Sequence, residues 1–153
     1  FAFSKATTPQ DPDATLFINT LEARPYLYYS HQERISKKQE IKFRIMQDFR
    51  FFKKEDECYQ YGNLRPRIML EYNFNISSKF TLRAFDEVLF NALGRTRVNT
   101  FDQNRIGAST QFNINKNNSF EIGYANWYQK QKDGFTYLNK NICRVTYQKR
   151  LQL

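Results

Sequence analysis

Between Glu40 and Phe52 the chain alternates. Ile41, Phe43, Ile45, Phe49 and Phe51 occupy odd positions, interrupted by Gln47, while Glu40, Lys42, Arg44, Asp48 and Arg50 occupy even ones, interrupted by Met46 and Phe52. A period of two sends successive side chains to opposite faces of a strand. A helix would gather Ile41, Ile45, Phe49 and Phe52 but leave Phe43 and Phe51 in water, so the segment reads as a strand. The next segment repeats the pattern with parity reversed. Leu64, Pro66, Ile68, Leu70, Tyr72, Phe74 and Ile76 oppose Arg65, Arg67, Glu71, Asn73 and Asn75, with Met69 as the exception. Phe80, Leu82, Ala84, Val88 and Phe90 then alternate with Lys79, Thr81, Arg83 and Glu87. Asp86 breaks the apolar row, which calls for a bulge or a membrane-edge position.

Three more strands follow. Ile106, Ala108, Thr110, Phe112 and Ile114 oppose Arg105, Gly107, Ser109, Gln111 and Asn113. Phe120, Ile122, Tyr124 and Tyr128 oppose Glu121 and Gln129. From Tyr137 to Leu153, Cys143, Val145 and Tyr147 oppose Lys140, Arg144, Thr146, Gln148 and Arg150. An earlier, less regular strand spans Leu16–Ile35, with Leu21, Leu27 and Tyr29 against Glu22, Arg24 and Tyr26. Phe1-Ala2-Phe3 reads as the stub of an eighth strand. No helix is predicted, and no run of 18 apolar residues could form a membrane-spanning one.

The connections carry a second regularity. Ser36–Lys38, Ser77–Ser78 and Lys116–Asn118 are short; Lys53–Asn63, Asn91–Asn99, Lys130–Thr136 and Ser4–Thr15 are long. Short and long alternate along the chain, as in an up-and-down barrel with tight turns on one side of a membrane and loops on the other. A soluble sandwich has no reason to sort its loops in this way. The predicted fold is therefore all-β: an antiparallel up-and-down transmembrane β-barrel, one domain over residues 1–153, with an even strand total. Its tight turns and C-terminus would face the periplasm.

Charge changes the picture only in part. Of 153 residues, Lys+Arg number 24 against 15 Asp+Glu, a net of +9, and aromatics reach 17%. Such a balance invites nucleic acid, but the cations lie on strand faces that also carry acids. Arg44, Arg50, Arg65, Arg67, Arg83, Glu87, Arg105, Glu121 and Arg144 are accordingly predicted to line a narrow, ion-paired lumen with a cationic excess. Ile45, Leu70, Leu82 and Phe112, each mid-strand on the apolar row, are predicted to face lipid. Aromatics form two belts suited to membrane interfaces: Tyr26, Tyr28, Tyr29, Trp127, Tyr128 and Tyr137 toward the loop ends, and Tyr72, Phe74, Phe112 and Tyr147 toward the turns.

The motifs His31-Gln32-Glu33-Arg34-Ile35, Gln39-Glu40-Ile41-Lys42-Phe43-Arg44, Phe85-Asp86-Glu87-Val88-Leu89-Phe90-Asn91, Phe101-Asp102-Gln103-Asn104-Arg105-Ile106-Gly107 and Glu121-Ile122-Gly123-Tyr124 occur in that order. Together they resemble a family of Gram-negative outer-membrane β-barrel proteins catalogued as a domain of unknown function. The likeness runs from about Glu22 to the C-terminus. It implies an export signal and an integral barrel, here lacking the family's N-terminal strands, with no established activity. The chain departs from many exported barrels by ending in Gln152-Leu153 rather than an aromatic. Phe1 is no initiator and no signal-peptide pattern follows it, so the sequence reads as a mature or incomplete piece.

Candidate chemistry is sparse. His31, the sole histidine, would need Ser30 or Ser36 and an orienting acid such as Glu33 to build a hydrolytic site. It lies instead at the turn end, away from surface lipids. Asp86-Glu87 and Asp102 flank one loop and could do acid–base work or bind calcium, but Arg83 and Arg105 nearby favour charge bracing. Cys58 and Cys143 have no partners for zinc, and their depths keep them from bridging. The expectation is a non-enzymatic integral outer-membrane protein, structural or accessory or a small pore. It would need no cofactor and no metal. Its partners would be membrane lipid and other outer-membrane or periplasmic proteins, with no nucleic acid. The competing expectation is a soluble, basic β-protein binding single-stranded nucleic acid on its aromatics.

Overall fold

The structure, a computed structural model, describes residues 2–9, 17–53, 58–93, 100–131 and 133–150. Nine strands fill it: β1 (Ala2–Pro9), β2 (Phe17–Arg24), β3 (Tyr26–Arg34), β4 (Gln39–Lys53), β5 (Gln60–Asn75), β6 (Phe80–Phe90), β7 (Phe101–Asn113), β8 (Asn118–Lys130) and β9 (Tyr137–Lys149). All pairings are antiparallel between neighbours, in the order β1-β2-β4-β5-β6-β7-β8-β9, with β3 also on β4. The sheet is up-and-down and curls into a half-barrel.

Several boundaries differ from the sequence reading; β5, for one, begins at Gln60, inside the expected Lys53–Asn63 connection. The expected stub is a full strand of eight residues, whose register runs from Ala2 opposite Arg24 to Pro9 opposite Phe17. Part of the expected Ser4–Thr15 connection is therefore strand, and residues 10–16 lie outside the described residues. The long first strand is interrupted at Pro25, which has no N–H to give a ladder. Its carbonyl still accepts from the Phe49 amide at 2.9 Å. β2 and β3 thus run along the same side of β4 as two pieces of one lane.

The three tight turns share one device. Ser36 Oγ accepts the Lys38 and Gln39 amides, and Ser77 Oγ the Lys79 and Phe80 amides. Asn115 Oδ1 accepts those of Asn117 and Asn118. A short polar side chain at the start of each turn satisfies two amides that the ladder cannot reach. Register is thereby fixed, which decides which row of each strand turns inward.

Two bulges adjust that alternation. In β4·β5, Arg50 faces Asn63 but Phe51 faces Tyr61, leaving Gly62 extra. A Cβ on Gly62 would lie 2.3 Å from the Phe52 ring, so only glycine fits there. In β6·β7, Leu89 faces Gln103 and Phe90 faces Phe101, leaving Asp102 extra. Both Asp102 and Gln103 are consequently buried. Of the two readings of Asp86, the bulge is absent: register runs unbroken through it on both sides.

Candidate functional site: the ion-paired concave face

Burial is inverted relative to a soluble protein. Only Met69 and Leu89 are buried hydrophobics among the described residues, whereas Glu22, Asp48, Arg65, Glu87, Asp102, Gln103 and Glu121 are all buried. Exposed large apolar residues crowd the other face. Buried charge and a contiguous exposed apolar surface are both departures that call for a cause.

The register explains which face is which. Arg44 stands opposite Met69, Met69 opposite Glu87, and Glu87 opposite Arg105, so these four share one face across β4 to β7. Arg44 Nη2 reaches Glu87 Oε1 at 3.5 Å, spanning β5. Arg65 Nη1 reaches Asp102 Oδ2 at 3.3 Å across β6, and Arg83 Nη1 reaches Glu121 Oε2 at 2.7 Å across β7. Strands two apart are separated by about 9.6 Å, and side chains lean together over that gap on the inside of a curve. The charged face is the concave one.

Its chemistry is arginine shared around carboxylates. Asp48, 2% exposed, accepts from Arg65 at 3.3 Å and from Arg67. Glu87 accepts from Arg44 and, at 3.2 Å, from Arg105. Glu121 accepts from Arg83 and, at 3.3 Å, from Arg144. Glu22 holds Arg50 and Arg24. Arg83 also donates to Asn73 Oδ1 at 3.1 Å and Gln111 Oε1 at 2.6 Å. Charge-assisted bonds of this kind are shorter and stronger than neutral ones. Eight arginines meet six carboxylates in this network, which leaves it cationic.

All nine predicted lumen residues, Arg44, Arg50, Arg65, Arg67, Arg83, Glu87, Arg105, Glu121 and Arg144, belong to this network. Arg144, on the edge strand, is the most open of its arginines at 67%. The four apolar residues have the opposite parity and are exposed: Ile45 43%, Leu70 52%, Leu82 42% and Phe112 36%. Phe80 packs on Phe112 and Phe120 on Tyr147, with ring centroids 4.9 and 5.1 Å apart, and Tyr128 stacks on Tyr137 at 4.8 Å.

Several residues lie where the sequence reading did not put them. Trp127, assigned there to the aromatic belt, shares the concave parity, opposite Arg105 and Lys140. The Arg105 guanidinium sits 4.1 Å above its ring. Tyr28 also has concave parity, opposite Met46; so does Tyr26, opposite Asp48, as the alternation with Glu22 and Arg24 already sets it. Phe85 points inward over Gly107, where an added Cβ would come 2.8 Å from the ring. Asp86 and Glu87 go to opposite faces: Glu87 inward, and Asp86 outward to accept from Asn104 Nδ2 at 2.5 Å. Asn126 donates outward to Asn139 and Asn141, so the apolar face carries a short polar row on β6 to β9. His31 pairs with Glu33 at 3.6 Å, both exposed, while Ser30 has the opposite parity and Ser36 Oγ accepts the Lys38 and Gln39 amides of its turn. Cys58 and Cys143 are both exposed and free.

The family described as "Protein of unknown function (DUF2490)" matches residues 7–139. Nothing matches among curated proteins or among solved structures.

Proposed function

We propose that this chain, which belongs to the DUF2490 family, is an integral outer-membrane β-barrel protein with an arginine-rich, ion-braced lumen. The observation that carries the reading is the inversion: buried Asp48, Arg65, Glu87 and Glu121 against exposed Ile45, Leu70, Leu82 and Phe112. A soluble sheet protein would bury the second set and wet the first. Lipid reverses the preference, because an outer apolar row replaces the core and the lumen takes the charges. On β9, Tyr137 and Tyr147 lie ten residues apart on the outer face. That is roughly 33 Å along a strand, or about 25 Å along the axis at ~40° tilt, the height of an apolar band between girdles.

The braced interior favours a structural or accessory role, or a small pore, over catalysis. A nucleic-acid surface would need cations offered to solvent beside the exposed aromatics. Here eight arginines of the concave face are tied to carboxylates, and the exposed aromatics sit among Ile, Leu and Val.

Fractionation of cells making the native protein tests the reading. It should resist high-salt and alkaline washes and require detergent for release. Release by salt alone would refute the membrane assignment.

A further inference from the structure

The carboxylates of the half-barrel are unevenly placed. None occurs between Tyr72 and Phe85, between Gln103 and Phe120, or after Asp133. These stretches supply the turn-side ends of β5 to β9. At that end, on the concave parity, a cleft of about 490 Å³ lies between the turn joining β5 to β6 and the turn joining β7 to β8, and reaches the end of β9. Lys79, Lys116 and Arg150 all line it. Among the described residues none of the three has a carboxylate within ion-pair distance. The nearest acid along the concave face, Glu121, is already engaged by Arg83 and Arg144.

The polar groups around these cations leave donors outward. Asn115 Oδ1 is consumed by three donors inside its own turn, leaving its NH₂ to give. Gln111 Oε1 accepts from Arg83, and Asn113 Oδ1 from Gln111. Asn118 Oδ1 accepts from Tyr147. The cleft therefore offers two ammonium groups, a guanidinium, an amide NH₂ and the Ser78 and Ser119 hydroxyls, with its side-chain carbonyl acceptors largely spent. Lys79, Lys116 and Arg150 are all exposed, so an anion entering the concavity meets three cations that no carboxylate neutralises. Lysine point charges and an arginine fork suit the tetrahedral oxygens of phosphate.

We infer that this turn-side cleft is a binding site for a phosphate group, held by Lys79, Lys116 and Arg150. The phosphate comes either from a phospholipid headgroup or from a soluble phosphate. The inference needs only the cleft and does not depend on the membrane reading.

The test is titration calorimetry on the purified chain in a phosphate-free glycoside detergent, with inorganic phosphate as probe, followed by dimyristoylphosphatidylglycerol. Saturable binding of either probe is expected. Removing any one of the three cations should weaken it about tenfold, since a hydrogen bond to a charged group is worth roughly that factor. K79Q/K116Q/R150Q should abolish it, whereas K37Q/K38Q, in the turn joining β3 to β4, should change it less than twofold. If phosphatidylglycerol displaces inorganic phosphate, the source is lipid; if inorganic phosphate stays bound beside it, the source is soluble. The inference is overturned if neither probe saturates, or if the two variants weaken binding equally, which would mark diffuse charge on the rim. Circular dichroism of each variant guards against misfolding, and R150Q alone supplies a second, milder reading.

Discussion

Asp48→Asn keeps the side chain's shape and removes one charge from the most enclosed ion pair of the concave face. Asp48 is 2% exposed, and the side chains of its partners Arg65 and Arg67 are 7% and 14% exposed. Breaking a buried pair by removing one partner costs roughly 3–5 kcal/mol, because the other charge stays buried and uncompensated. Arg65 keeps Asp102 at 3.3 Å, and asparagine still accepts one bond, so the lower end of that range, about 3 kcal/mol, is expected. With a urea m-value of about 2 kcal/mol/M, the midpoint should fall by ~1.5 M. Trp127 is the only tryptophan, and it reports from the concave face through its stack on Arg105, so its fluorescence can follow unfolding. Glu121→Gln is the internal comparison. There Arg83 retains Asn73 and Gln111, and Arg144 is two-thirds exposed, so about 1 kcal/mol or ~0.5 M is expected. Equal shifts in the two variants would refute the reasoning, since burial would then not be grading the pairs.

Ile45→Arg puts a charge on the outer apolar row and should cost roughly 2–4 kcal/mol of stability in bilayers; unchanged folding into vesicles would reverse the facing assignment. If the lumen conducts, its arginine excess should make it prefer anions, because a low-dielectric wall strengthens the field. A reversal potential in a salt gradient reads this, and cation preference contradicts it. In the turn between β8 and β9, hydrogen bonds from the Thr136 hydroxyl, the Thr136 amide and the Phe135 amide hold the Asp133 carboxyl below its ordinary value. A depressed carboxyl contributes order that is present above the unfolded pKa and lost as pH falls through the folded one. The Phe135 and Thr136 amide resonances should therefore titrate below about pH 3.8, the usual carboxylate value; a midpoint at or above it would show that these bonds do not form.

Strand parity was legible because the period of two is unambiguous wherever Arg, Glu and Asn alternate with Ile, Leu and Phe. This is how Arg44, Arg67 and Leu82 could each be assigned a face from sequence. Parity fails where the backbone slips by a residue. Asp102 joins Arg65 inside only because a bulge inserts it into β7, and nothing in Phe101-Asp102-Gln103-Asn104 announces that insertion. Gly62, beside Phe52, was the one available signal for the other bulge. Trp127 was misplaced for a different reason. Its size suggests a girdle, but its odd position on β8 ties it to Glu121 and the concave face. The ion pairs that skip a strand could not be read at all, because they depend on curvature that no local pattern encodes.

The edges of the sheet set the strictest demand on the membrane reading. β1 pairs only with β2, β3 only with β4, and β9 only with β8, so among the described residues one side of each of these strands has no ladder. In water such edges are tolerable, and every residue of β3 is exposed. In hydrocarbon each unpaired N–H or C=O costs several kcal/mol, so an open edge cannot lie in the bilayer. If the protein spans a membrane, both edges must be covered by another strand in the native assembly. Hydrogen exchange on the native protein in its membrane decides the point. The amides of Tyr26–Arg34 that do not bond β4 should exchange as slowly as those of β7, which is flanked on both sides. Fast exchange on that side of β3, with β7 fully protected, would mean that the edge meets water and that the half-barrel does not close across a bilayer.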